Sequence, residues 1–162
     1  MASLAEAVGR AAEVSDERAL ADLRREVDED LEAAARSPDY RERALAYRAI
    51  GSLRFNQKTE LLRRGFEDTS PAARGSALLS LELLSRAHPG LVNAVRPTLH
   101  RLANEDPNGA VRRLAVISLK NGSPQADTIT LLGHLGREAE EKELRSAATS
   151  VHQALRKKAA SR

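Results

Sequence analysis

Four short stretches of the 162-residue chain share one arrangement, an arginine followed by an alanine three residues on and an aliphatic residue seven on. They are Arg43, Ala46 and Ile50 in ERALAYRAI; Arg74, Ala77 and Leu81 in ARGSALLSL; Arg112, Ala115 and Leu119 in VRRLAVISL; and Arg145 with Ala148 in LRSAATSVH, where His152 replaces the aliphatic residue. The arginines are 31, 38 and 33 residues apart. Positions i, i+3 and i+7 share a face of an α-helix, so each copy is an amphipathic helix recurring once per unit. A unit of this length cannot bury an apolar face alone and must stack on its neighbours, which restricts the chain to a repeat architecture.

Each of these helices follows a second amphipathic segment: residues 15–36, 57–68, 90–106 and 124–138. Turns rich in Pro, Gly, Asp and Asn separate them, with SPD at 37, DTSP at 68, HPG at 88, EDPNG at 105 and NGSP at 121. The reading is four helix pairs over about 15–54, 57–86, 90–121 and 124–158 in one domain spanning 1–162, with a short helix near residues 3–12 and a frayed tail at 159–162. Ser15 begins the second helix as half of a capping box, and Gly122 stops the helix before it. Pro97 falls inside the segment 90–106 and is expected to kink it, because proline removes a backbone hydrogen bond and crowds the preceding turn.

Composition agrees with helices. Ala, Leu, Arg and Glu dominate, tryptophan is absent, and Tyr40, Tyr47, Phe55 and Phe66 are the whole aromatic complement. Sheets favour β-branched and aromatic residues, so an all-α chain is expected. With no cysteine there are no disulfides, thiolate metal sites or cysteine nucleophiles. No apolar run reaches the length of a membrane span, so a cytoplasmic protein without membrane partners is the expectation. The excess of arginine over lysine fits a GC-rich bacterial genome.

The units EDTSPAARGSALLSLELL (67–84) and NEDPNGAVRRLAVISLKNG (104–122) resemble HEAT repeats, in which an Asp-Pro turn leads into a second helix opening Val-Arg and continuing with Ala and Leu. The resemblance covers roughly residues 16–157. It implies a right-handed α-solenoid of about four helix pairs plus a short N-terminal helix. It also implies that Asp68, Arg74, Asp106 and Arg112 form a structural ladder through the turns, for which the planar, multiply donating guanidinium is suited.

Function is then sought in what the repeats do not share. Arg113 is matched elsewhere by Ala44, Gly75 and Ser146, so no common packing role requires a cation there. Position +5 from the ladder arginine lies about 200° around the helix from the core alanine. It carries Arg48, Leu79, Ile117 and Ser150, while +8 carries Gly51, Glu82, Lys120 and Gln153. Second helices usually line the inner surface of a solenoid, where extended partners bind. Arg48, Leu79, Glu82, Arg113, Ile117 and Lys120 are therefore the expected partner-binding residues, on a mixed apolar and basic strip that would take a peptide, a helix or an acidic patch of another protein.

No phosphate loop, serine elbow or HExxH motif occurs, and no catalytic residue, cofactor or metal is expected. His100 and His134 fall at similar places on successive first helices, but no carboxylate joins them at a metal-ligand spacing. Alkylpurine DNA glycosylases of HEAT-like architecture depend on tryptophans and a catalytic Asp that have no counterparts here. A non-catalytic adaptor is the favoured function. The alternative is nucleic-acid binding through phosphate contacts, because residues 41–137 hold 15 cations against 8 acids, whereas residues 1–40 hold 11 acids against 5 cations.

Overall fold

The computed structural model describes residues 2–162, and all regular structure among them is helical. The elements are α1 (Leu4–Ala11), α2 (Glu17–Ala35), α3 (Tyr40–Ser52), α4 (Thr59–Phe66), α5 (Pro71–Ser85), α6 (Gly90–Ala94), α7 (Arg96–Glu105), α8 (Gly109–Leu119), α9 (Ala126–Glu138) and α10 (Lys142–Ala160). This is the all-α fold class expected of a solenoid built from helix pairs. The chain forms two compact units, one ending at Leu84 and the other spanning Ser85–Arg162.

In the first unit, α1 opens with a full capping box: the Glu6 amide donates to Ser3 Oγ and the Ser3 amide to the Glu6 carboxylate. The α2 cap is Asp16 rather than the expected Ser15. Its carboxylate accepts from the Arg18 amide at 3.0 Å, because residue 16 directly precedes the first helical residue. Leu20, Leu23, Val27, Leu31 and Ala35 form the buried stripe of α2, and Ala46, Tyr47, Ala49 and Ile50 that of α3. Burying each large aliphatic side chain stabilises the fold by about 1.5–3 kcal/mol.

Helix α3 ends in a left-handed residue, Arg54, with φ 56°. The Arg54 amide donates to the Gly51 carbonyl and the Phe55 amide to the Ile50 carbonyl, the two bonds of a Schellman cap, and Phe55 is buried behind them. Further along, Gly51 lets α5 come close. A Cβ there would stand 2.6 Å from Ser80 Cα, and the Gly51 amide donates to Ser80 Oγ at 2.8 Å.

In the second unit, Pro97 does more than kink a helix. Helix α6 stops at Ala94, Val95 turns out at φ −118° and ψ 16°, and α7 restarts with the proline in its first turn. Proline lacks an amide hydrogen and its ring crowds the carbonyl four residues back, so the helix breaks there. Helix α8 is capped by Asn108, whose side chain accepts from the Val111 amide at 3.1 Å. It ends at Leu119, before Gly122 as expected, but for another reason. No glycine among the described residues has positive φ, and a Cβ on Gly122 would lie 2.6 Å from Val92 Cγ1 and 3.0 Å from the Arg96 guanidinium. Close approach, not left-handed backbone, calls for glycine at 122. Helix α10 continues through Ala160, two residues beyond the expected end of its pair.

The register of the repeats is visible in the core. Ala46, Ala77, Ala115 and Ala148, the four residues three positions after the repeat arginines, are all fully buried, as are Ile50 and Leu119 four residues later.

Candidate functional site

The arginines of the repeats are spent in the turns, and in a consistent way. Arg74 donates to the Asp68 carbonyl at 2.9 Å and Arg112 to the Asp106 carbonyl, while Arg145 donates to the Ala139 and Glu140 carbonyls at 2.7 and 2.8 Å. Arg43 donates likewise to the Ser37 and Pro38 carbonyls. The acid's side chain meanwhile closes its own turn: Asp68 accepts from the Ser70 amide and Asp106 from the Asn108 amide, each at 2.9 Å. Ser37 Oγ performs the same task for the Asp39 amide at 3.1 Å.

Carboxylates reach two of these arginines from the following repeat. Asp68 binds Arg43 in a two-pronged pair at 2.8 and 3.0 Å, and Glu141 binds Arg112. The Asp68 carboxyl is held below the usual carboxylate range although burial opposes this, because Arg43 and the Ser70 amide stabilise its charge. Glu141 lies outside the four ladder residues expected from the resemblance. It stands four residues before Arg145, the register of the caps Asp39, Ser70 and Asn108, and its carboxylate lies against Gly109, where any Cβ would collide with it.

With Arg112 occupied, the rest of α8 offers a different surface. Val111, Ala115, Val116, Ser118 and Leu119 face the core. Arg113, Ile117 and Lys120, spaced four and three residues apart, form a stripe on another side; Arg113 and Lys120 are exposed and Ile117 is half-buried. This stripe is one wall of a groove of about 490 Å³, whose other wall is the Lys142–Val151 stretch of α10, including Glu143, Ser146, Ala147 and Ser150. The groove thus holds three cations against one acid, over a floor of Ile117, Ala147 and Val151.

Arg48, Leu79 and Glu82 belong to the first unit and do not line this groove. Arg48 is exposed on α3, while Leu79 and Glu82 are half-buried on α5. Leu83, one turn beyond Leu79 on the same face, is the more exposed leucine at 38 %. It was missed because the reading stopped at position +8.

A buried polar cluster in the second unit was also missed. Arg96 is only 4 % exposed, and its guanidinium donates to Thr128 Oγ1 at 2.7 Å, to the Ser123 carbonyl at 3.2 Å and to the Asn93 side chain. His100 Nε2 lies 2.8 Å from the same Thr128 oxygen. Burial lowers the pKa of both Arg96 and His100 from their ordinary values, with Asp127 acting in the opposite sense on each. The signal was present: Arg96 interrupts the apolar stripe Val92, Leu99 and Ala103 at helical spacing.

The family model for HEAT repeats matches residues 27–120, more than half of the chain. No curated protein and no solved structure matches it. Among the described residues no helix is long and apolar enough to cross a membrane.

Proposed function

Because the chain belongs to the HEAT-repeat family, whose repeats commonly mediate protein–protein interaction or scaffolding, we propose that it is a non-catalytic adaptor. It presents a mixed apolar and basic surface to a partner protein. Arg113, Ile117 and Lys120 are its contact residues in the second unit, and Arg48, Leu79 and Glu82 those in the first.

One observation carries this reading. Arg113 and Lys120, the cations of α8 that have no counterpart in the other repeats, stand with Ile117 on the wall of a groove combining an apolar floor with a cationic rim. Repeat-wide needs account for Arg112; they do not account for Arg113 or Lys120. The nucleic-acid alternative is weaker because several cations of the middle segment are already bound inside the protein: Arg43 to Asp68, Arg112 to Glu141, Arg96 within its buried cluster and Lys58 to Asp28 and Glu32. Those four are not free to follow a phosphate backbone, and there is no tryptophan to stack on bases.

A pull-down from the source organism tests the proposal, comparing the wild type with Leu79→Glu/Ile117→Glu. The double variant keeps its helicity and loses a partner. Unchanged capture by the variant refutes the assigned surface. Tight, steeply salt-dependent binding of DNA or RNA by the wild type would reverse the ranking of the two functions.

A further inference from the structure

The α8–α10 groove carries a charge pattern that its own unit leaves unanswered. Arg113, Lys120 and Lys142 are exposed, and none of them forms an ion pair through its side chain among the described residues. Neighbouring cations on the same helices are engaged: Arg112 by Glu141, Arg145 by two turn carbonyls, and Lys158 by the Lys120 and Gly122 carbonyls at 3.0 Å each. The single acid of the groove, Glu143, adjoins Lys142 and leaves the Arg113 and Lys120 ends net positive.

The Lys120 end is the more strongly cationic. Lys158 is anchored there, and its ammonium is pushed below the ordinary lysine pKa first by burial and then by the nearby positive charges of Arg162 and Lys120. An anionic group in this place would relieve that repulsion.

Building on the adaptor reading above, we infer that the groove takes an acidic linear segment of a partner protein in which two carboxylates bracket one aliphatic side chain. The aliphatic side chain rests on Ile117 and Ala147, one carboxylate meets Arg113 and Lys142, and the other meets Lys120. The spacing follows from the helix. Seven residues separate Arg113 from Lys120, about 10 Å along the α8 axis. In an extended chain, residues four apart lie about 13 Å from one another, and they share a face with the residue between them. The flexible arginine and lysine stems accommodate the difference. The segment therefore reads acid-x-aliphatic-x-acid.

Fluorescence anisotropy of the full chain with a labelled peptide, Gly-Ser-Glu-Ser-Leu-Ser-Glu-Ser-Gly, tests the inference alongside versions carrying Gln or Lys in place of both Glu. The Glu peptide binds, the Gln version binds about fivefold or more weakly, and the Lys version does not bind. Raising the salt weakens the Glu peptide, since these charges are solvent-exposed. Lys120→Ala and Lys142→Ala each reduce its affinity with unchanged circular dichroism, and because both residues are exposed these variants fold.

Equal binding of the Glu and Gln peptides, or binding of neither, overturns the acidic class. The adaptor reading is judged separately, by partner capture with the Leu79→Glu/Ile117→Glu variant. Salt-sensitive self-association that Lys120→Ala abolishes would assign the groove to a second copy of the chain, whose acidic α2 would be the occupant. A DNA duplex displacing the peptide at lower concentration than unlabelled peptide does would assign it to phosphates. Either result overturns the inference.

Discussion

The guanidinium of Arg43 grips the carboxylate of Asp68 across 25 residues of sequence, Nε to Oδ2 at 2.8 Å and Nη2 to Oδ1 at 3.0 Å. The same carboxylate accepts from the Ser70 amide, so one side chain both closes the α4–α5 turn and ties it to the start of α3. Asp68 is 6 % exposed at its side chain, and removing its charge leaves an arginine without its carboxylate.

Asp68→Asn is expected to destabilise the protein by about 2 kcal/mol at neutral pH, as a broken charge-assisted pair in a largely buried place. The pH dependence has a definite sign. The folded pKa lies below the ordinary 3.8, so the unfolded chain binds the proton more readily, and the stabilisation is present above 3.8 and lost as pH falls through the folded value. Thermal unfolding of wild type and variant should converge at strongly acidic pH. A gap that persisted there would show that the charge is not what matters.

Two glycine substitutions should move stability in opposite directions. Gly51→Ala forces a methyl against Ser80, including its backbone, and should cost about 1–3 kcal/mol despite the better helix propensity of alanine. Gly9→Ala, in α1 with no atom beyond its own helical turn within 4 Å of the added carbon, should stabilise by about 0.5–1 kcal/mol. Denaturant midpoints decide the matter, and stabilisation by both variants would mean that α3 and α5 yield easily.

Arg54→Gly should stabilise by about 1 kcal/mol, because the left-handed backbone at this cap burdens any residue with a Cβ. The exposed contact it gives up, Arg54 to Glu17 at 4.0 Å, is worth little. A drop in the unfolding midpoint would indicate that the arginine stem packs usefully in the turn.

His100 should make stability fall in mild acid. Burial lowers its folded pKa below 6.5, with Arg96 also opposing the charge and Asp127 favouring it, so the unfolded state takes up the proton first. Stability is full above 6.5 and decreases as pH drops toward the folded value. His100→Gln should flatten the slope of the unfolding midpoint between neutral pH and the onset of carboxylate protonation. An unchanged slope would place its origin elsewhere.

The repeat period determined much on its own. An arginine with an alanine three residues later marks the second helix of each pair, and the buried Ala46, Ala77, Ala115 and Ala148 follow from it, because helical periodicity and burial are local matters that sequence spacing expresses directly. The division of Arg112 from Arg113 was legible in the same way, since one is repeated and the other is not. What sequence could not assign were partners chosen by distance in space. Glu141 reaches Arg112 from 29 residues away, Arg96 is buried on Thr128 across 32, and Gly51 and Gly122 are glycines because other helices pass within contact of them. Arg113, Ile117 and Lys120 form a stripe by spacing alone, yet whether that stripe meets solvent, core or a groove depends on where α10 lies beside α8. Only tertiary packing sets that position, because a hydrogen bond or a steric clash is decided by separation in space, and chain order fixes such separations only within a helix.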